Sequence, residues 1–325
     1  MGTTRGTEES ETFLGTSGDD LIFGDGGHDL FWPGGGDDDV FGGRGDDVLH
    51  NSRGDDLLVG GPGNDLFRYG ERWGPLDEEE ADGDTGFDRL IYEAPERGAL
   101  FDARPDVYGY GFATGGLAFR SIERVEFKGA AGADRAWLTA GPDEARGHGG
   151  DDRLGGRGGD DRLHGGSGDD RLSGGGGGDR LGGGSGDDRL LGGSGADRLR
   201  GGTGHDDLVG GRGADRLWGG AGADAFVFAS ASHGARGRGV DRIEEFERGL
   251  DVLDLAGIDA NTARSGDQRA DFIGTGSFDG VAGELRYVSG WSSRRVQLDR
   301  DGDARADFEL VLAGAGGLGA SDFLL

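Results

Sequence analysis

A strict nine-residue phase constrains this chain more than any other feature. Residues 15–68 divide without insertion into six nonapeptides: GTSGDDLIF, GDGGHDLFW, PGGGDDDVF, GGRGDDVLH, NSRGDDLLV and GGPGNDLFR. Residues 129–227 divide into eleven more, from GAAGADRAW to GGAGADAFV. The fourth position is glycine and the sixth aspartate in all seventeen. The eighth is apolar throughout, from Ile22 to Phe67 and from Leu154 to Phe226, with only Ala136 and Ala145 weak there. Compositional drift can enrich glycine and aspartate, but it does not keep an unbroken register over eleven units.

The period dictates a fold. Positions seven to nine, x-apolar-x, fit a strand of about 10 Å whose middle side chain faces inward. Positions one to six then form a turn, where glycine permits positive φ. Two nonapeptides make an 18-residue coil, and stacked coils make two parallel sheets with equivalent residues about 4.8 Å apart. The expected class is all-β. It comprises a flexible tail over 1–14, two parallel β-rolls over 15–68 and 129–227, a strand-rich connector over 69–128 and a β-rich cap over 228–325. Within the connector, 86–92 and 120–127 read as strands flanking a hairpin region, 98–117. Composition agrees: 76 glycines in 325 residues exclude a mainly helical protein, since each costs a helix about 1 kcal/mol. Six prolines are too few for collagen, no apolar stretch has the length of a membrane span, and a 33% hydrophobic content builds no single large core.

Charge identifies what else must hold the chain. Acidic residues outnumber basic ones 63 to 34, for a net charge of −29, which disfavours nucleic acid as a partner. Such a chain stays disordered unless cations neutralise it. Stacking places Asp152 over Asp170 over Asp188, and Asp161 over Asp179 over Asp197. Two carboxylates at that spacing repel by about 3 kcal/mol at an effective dielectric of 20. A hard divalent ion between turns reverses the sign, and calcium accepts six to eight oxygens, backbone carbonyls included. The candidate ligands are the sixth-position aspartates Asp20, Asp29, Asp38, Asp47, Asp56, Asp65, Asp134, Asp143, Asp152, Asp161, Asp170, Asp179, Asp188, Asp197, Asp206, Asp215 and Asp224. The turn glycines Gly150, Gly159, Gly168, Gly177, Gly186 and Gly195 would offer carbonyls. Roughly a dozen calcium ions would leave a net charge near −5. With no cysteine in the chain, disulfides and thiolate sites are excluded.

These units resemble the calcium-binding nonapeptide repeats of RTX proteins, G-G-x-G-x-D-x-U-x, and the resemblance implies a parallel β-helix. Departures fall at position one (Pro33, Asn51, Leu138) and position two (Thr16, Asp25, Ser52, Thr139, His148, Arg157). Position two is expected to contribute mainly a carbonyl, so most of its departures should be harmless, whereas the units over 129–146 should bind weakly. Beyond Phe228, the order of segments 240–246, 251–255, 271–274, 283–287, 306–310 and 321–325 is similar to the C-terminal domain of serralysin-type secreted metallopeptidases. That resemblance implies a secreted, extracellular protein with an uncleaved C-terminal signal read by a type I ABC exporter. It does not carry over proteolysis, because the zinc protease domain is missing from this sequence. The opening MGTTRGTEESETF has no apolar h-region of a cleavable signal peptide.

Other features divide between structural and functional readings. Asp299, Asp301 and Asp303 alternate in a turn, with Asp307 or Glu309 able to close a calcium site; an acidic hairpin turn is the equal alternative. Arginine fills position seven at 153, 162, 171, 180, 189, 198 and 216. Those ladders either compensate charge on solvated faces or grip an anionic glycan. Trp32, Trp137 and Trp218 at position nine read as exposed packing residues, and the run Asp77 to Glu80 as a solvated loop. The six histidines, His233 among them, include no i, i+4 pair and no H-E-x-x-H helix. The chain therefore reads as a non-enzyme, with a polysaccharide-active enzyme as the remote alternative.

Overall fold

The structure, a computed structural model, describes residues 2–70, 79–94, 99–103, 111–113, 117–231, 239–262, 268–290, 292–314 and 316–325. Asp77, Glu78, His233 and much of the 98–117 hairpin region lie outside the described residues. The chain forms two compact units, Met1–Gly158 and Gly159–Leu325. Among the described residues helix is confined to 3-10 turns, at Ala231 and over Ala320–Asp322. None is long and apolar enough to cross a membrane. The all-β, parallel β-roll expectation holds.

In the first unit, strands from alternate nonapeptides join two sheets. One runs through Asp20–Phe23, Asp39–Phe41, Leu57–Pro62 and Glu80–Thr85, the other through Leu30–Trp32, Val48–His50, Leu66–Gly70 and Arg89–Glu93. Each pairing is parallel and in register, Ile22 beside Val40 beside Leu58 and Phe31 beside Leu49 beside Phe67. The connector continues the roll: Arg89–Glu93 pairs parallel with both Leu66–Gly70 and Arg124–Lys128. Antiparallel pairing enters only where Gly111–Ala113 lies between Leu100–Asp102 and Ala118–Arg120. Residues 2–14, expected as a flexible tail, instead build the first coil, with Gly2–Arg5 on Asp20–Phe23 and Thr12–Leu14 on Leu30–Trp32. The reason is a hidden repeat: GTEESETFL keeps the phase from Gly6, with Glu11 at position six and the buried Phe13 at position eight.

In the second unit, one sheet holds Arg171–Gly176, Arg189–Ser194, Asp207–Arg212 and Ala225–Val227, then Val252–Asp254 and Phe323–Leu324. The other holds Arg162–Ser167, Arg180–Ser185, Arg198–Thr203 and Arg216–Ala221, then Asp241–Glu245 and an antiparallel run from Phe308–Ala313 through Ser293–Asp299 to Glu284–Ser289. Here the array strands from Arg162 to Ala221 are six residues long, not three. They run from position seven through position three of the next unit, as in Arg180–Ser185. Identical coils repeat the same backbone every 18 residues, so the ladder continues through the position-two glycine despite its positive φ, +124° at Gly184.

Along these strands the inward positions are six, eight and one: aspartate, leucine, glycine. Leu163, Leu172, Leu181, Leu190, Leu199, Leu208 and Leu217 are all buried. The first unit fills the same axis with aromatics, Phe13 stacked on Phe31 at 4.9 Å and Phe101 on Phe119 at 5.1 Å. The position-nine tryptophans pack on the outer face, Trp32 against His50 at 3.7 Å and Trp218 under the Arg200 guanidinium at 5.0 Å. The core is thus a single file of side chains. Leu190→Ala should cost about 2–5 kcal/mol in urea unfolding at saturating calcium; a loss below about 1 kcal/mol would mean the file is not close-packed.

Candidate calcium rungs

Every sixth-position aspartate is buried, at most 4% exposed. Its side chain shares the inward face with leucine. One oxygen is paired by the neighbouring coil. The backbone N–H of Asp179 donates to Asp197 Oδ1 at 2.8 Å, that of Asp188 to Asp206 at 2.9 Å, and that of Asp47 to Asp65 at 2.8 Å. Successive carboxylates therefore do not face each other bare; a peptide N–H stands between them.

The second oxygen divides the rungs into two kinds. Oδ2 of Asp29, Asp47, Asp65, Asp179, Asp188, Asp197, Asp206, Asp215 and Asp224 is buried without a hydrogen-bond partner. In Asp20, Asp56, Asp134 and Asp143 it accepts the backbone N–H of the residue four earlier: Thr16 (2.6 Å), Ser52 (3.1 Å), Ala130 (2.7 Å) and Thr139 (2.8 Å). Those four are position two of the same unit, and none has positive φ. Where the oxygen is unpaired, position two has positive φ: +124° at Gly184, +112° at Gly193, and +68° even at Asp25. Glycine tolerates that conformation and β-branched threonine does not. At Thr16, Ser52, Ala130 and Thr139 the backbone stays out of the positive-φ region and turns its N–H onto the carboxylate, closing the rung; Ser52 and Ala130 do so without a branched Cβ. The backbone of position two thus sets whether Oδ2 is paired within its own unit, and two of the closed rungs, Asp134 and Asp143, fall in the units over 129–146.

An open rung suits a hard cation. Asp197 Oδ2 and the Gly210 carbonyl oxygen both lie where a Cβ on Gly192 would stand, and Asp206 Oδ2 and the Gly219 carbonyl do the same at Gly201. Unpaired carboxylate oxygen plus glycine carbonyl is an all-oxygen donor set of the type calcium takes. The position-four glycines hold the turn. Gly168, Gly177, Gly186 and Gly195 donate to Ser185, Ser194, Thr203 and Arg212 carbonyls at 2.8–2.9 Å. Gly150 and Gly159 share their positive φ, +97° and +99°. Asp38, Asp152, Asp161 and Asp170 occupy the same buried register.

The ladder runs beyond the arrays. The Asp65 N–H donates to Asp88 Oδ1, Asp215 to Asp241, and Asp224 to Asp251. Oδ2 of Asp88 and Asp241 is also unpaired. These residues fell outside the candidate set because the loops before them break the phase, and Oδ2 of Asp251 is already paired by the Glu247 N–H at 2.7 Å. The signal was present as G-x-D-x-apolar in Gly86–Leu90, Gly239–Ile243 and Gly249–Leu253. Glu123, like Glu11, stands where the other coils have aspartate, and accepts from the Asp88 N–H at 2.8 Å.

The turn near residue 300 differs. Asp299, Asp301 and Asp307 each bring an oxygen within 4.8 Å of the others. Asp303 instead accepts the Arg305 N–H, and Glu309 binds Arg295 and Gln297. Both oxygens of Asp299 already accept backbone N–H groups, from Gly302 and Ala304. The loop is thus held by its own donors.

Burial is the largest cause lifting the rung carboxyls, with neighbouring carboxylates adding to it. Asp188 and Asp197 are pushed up to about 7, Asp206 to about 6 and Asp241 to about 8. Asp65 rises to about 7. Asp20 alone falls, because the Thr16 N–H donates to it. At the closed Asp143 deep burial outweighs the Thr139 donors, and its carboxyl reaches about 6.

With this geometry the comparisons agree. Residues 162–325, half of the chain, match the family described as peptidase M10 serralysin C terminal, and the chain belongs to that family. RTX calcium-binding nonapeptide repeats match over 5–40, 32–67 and 128–163. Both kinds of domain are typical of secreted proteins. No curated protein matches the sequence significantly. Among solved structures, the chain is similar to the AlgE6R3 subunit of the Azotobacter vinelandii mannuronan C5-epimerase in solution: 26% identity, TM-score 0.32, 51% of this chain and 77% of that one. It is also similar to the extracellular lipase LipA from Serratia marcescens, at 14% identity and TM-score 0.23, covering all of this chain and 40% of the lipase.

Two outcomes follow from the rungs. Gly184→Thr should close the Asp188 rung: its Cβ meets the Gly166 carbonyl and its φ is strained by about 1–3 kcal/mol. The calcium midpoint of folding should rise, and an unchanged midpoint would refute the role of position two. The raised carboxyls also fix a sign. The metal-free folded chain binds more protons than the unfolded chain between about pH 4 and 7, so its stability falls as pH rises through that window. In chelator, β-structure by circular dichroism should therefore be greater at pH 5 than at pH 8.

Proposed function

We propose that this chain is a secreted RTX protein whose open rungs bind calcium and thereby fold the roll outside the cell. Calcium binding by the repeats is common to the family; the folding switch and the export route are the inference. The observation that carries it is the set of buried, unpaired Oδ2 atoms. A buried carboxylate without a partner costs several kcal/mol, and a row of them exceeds the stability of an ordinary domain. When bound, calcium supplies positive charge and a coordination shell at those oxygens. The residues assigned to hold it are the open-rung aspartates with the glycine carbonyls beside them, extended by Asp88 and Asp241. The closed rungs at Asp20, Asp56, Asp134 and Asp143 are assigned a structural role. The Asp299, Asp301 and Asp307 turn is left to its backbone donors.

Export follows from the same equilibrium. A calcium-poor cytosol leaves the rungs charged and the chain extended, a form a type I exporter can thread, with the C-terminal domain as its signal. Millimolar calcium outside then fills sites in the extracellular range of 10⁻⁴–10⁻³ M, so metal binding and folding are one transition. The reading assigns no catalysis to this chain. Circular dichroism at pH 7.5 should report a disordered chain in chelator and β-structure in millimolar calcium, with a steep, cooperative midpoint. An identical β spectrum in both would remove the switch.

A further inference from the structure

In the second unit, the outer face of the sheet holding Arg162–Ser167, Arg180–Ser185, Arg198–Thr203 and Arg216–Ala221 opposes the charge of the whole chain. Register sets Arg162 beside Arg180, Arg180 beside Arg198, and Arg198 beside Arg216. The four side chains are exposed at steps of about 4.8 Å, spanning about 14 Å. Position nine of the same strands reads His164, Gly182, Arg200 and Trp218, and none of the four strands contains an acidic residue. Between the two columns runs a groove of about 450 Å³, with Gly182 as its floor and Arg162, Arg180, Arg198, His164 and Arg200 as its walls. Arg200 is steadied over the Trp218 ring.

The opposite sheet is different. Its position-seven column passes from Arg189 to Asp207, in register and within 3.6 Å. The turns entering it carry Asp169 and Asp187 at position five, whereas those entering the basic sheet carry Asp160, Gly178, Ala196 and Ala214. Asp160 is itself engaged by the Gly178 N–H at 2.7 Å. Among the described residues no ion pair neutralises Arg162, Arg180 or Arg198. Charge compensation accounts for the arginines of one sheet and not of the other.

We propose that this groove binds a linear polysaccharide bearing one carboxylate per sugar, laid along the stacking direction of the coils. The guanidinium fork takes a carboxylate through two parallel hydrogen bonds. Several guanidinium forks in one column let an extended chain that carries repeated carboxylates be gripped at more than one point. The groove is open along the ladder, as a polymer requires. Even with about a dozen calcium ions bound the chain keeps a net charge of about −5, so a uronate meets less repulsion than the denser phosphate backbone of a nucleic-acid duplex.

The test uses the full, calcium-loaded chain, whose fold is followed by circular dichroism, so loss of the calcium-dependent fold registers separately from loss of binding. A short oligogalacturonate is titrated calorimetrically beside a neutral oligosaccharide and a single-stranded oligonucleotide. The oligouronate should bind, more weakly as salt rises. Arg180→Ser with Arg198→Ser should lose affinity about tenfold, while Arg171→Ser with Arg189→Ser, the same charge change on the other sheet, should not. Gly182→Glu, which sets a carboxylate on the floor, should abolish binding independently. No binding by the native chain, equal loss in both double variants, or an oligonucleotide bound as tightly as the uronate would each overturn the assignment.

Discussion

One buried carboxylate oxygen per coil governs this molecule. Alternation along each strand places aspartate, leucine and glycine on the same inward face, so the acid is as deep as the apolar core. Backbone geometry supplies one donor to it, the N–H of the aspartate on the coil before. The other oxygen is left facing a position-one glycine and a glycine carbonyl. A neutral donor satisfies that oxygen in the closed rungs. In the open ones, only a proton or a cation brings the energy down.

Position two decides which kind of rung forms, through backbone conformation rather than side-chain chemistry. His148 and Arg157 reach positive φ, +74° and +77°, and so behave as glycine does. Thr16 and Thr139 cannot, because branching at Cβ crowds the left-handed region. The hydroxyl of Thr139 then adds a second donor to Asp143 Oδ2 at 2.8 Å, and that of Ser52 does the same for Asp56 at 2.7 Å. A closed rung has a backbone donor on Oδ2 whether or not a cation is bound. Closed rungs stand at Asp20 beside the first coil and at Asp134 and Asp143, where the long array restarts.

Much of this was legible in the residues. Invariant Asp at position six and an apolar residue at position eight fixed the phase, and the phase alone places Leu181 beside Leu199. What escaped had physical causes. Strand length depends on whether the ladder survives a positive-φ glycine, which is a property of neighbouring coils rather than of one unit. The pairing of Asp197 Oδ1 with the Asp179 N–H joins residues 18 apart and has no local signature. Asp88, Asp241 and Asp251 carried the five-residue core of the motif but followed irregular loops, so a search by strict period passed over them. Glu11 and Glu123 escaped because a longer acid does the same work.

A nine-residue sequence period becomes an 18-residue structural one, because alternate units feed opposite sheets. Averaging over all units therefore hides what each sheet presents. At position five, Asp169 and Asp187 belong to one parity and Gly178 and Ala196 to the other. At position seven, Asp207 interrupts one arginine column and nothing interrupts the other before Arg242, which pairs with Glu244 at 2.8 Å. The interior cannot tolerate such divergence: every unit must supply aspartate, an apolar residue and an approachable backbone. The outer faces are free of that demand. Differences between parities can therefore accumulate only outside, where a strongly acidic chain keeps one basic face intact.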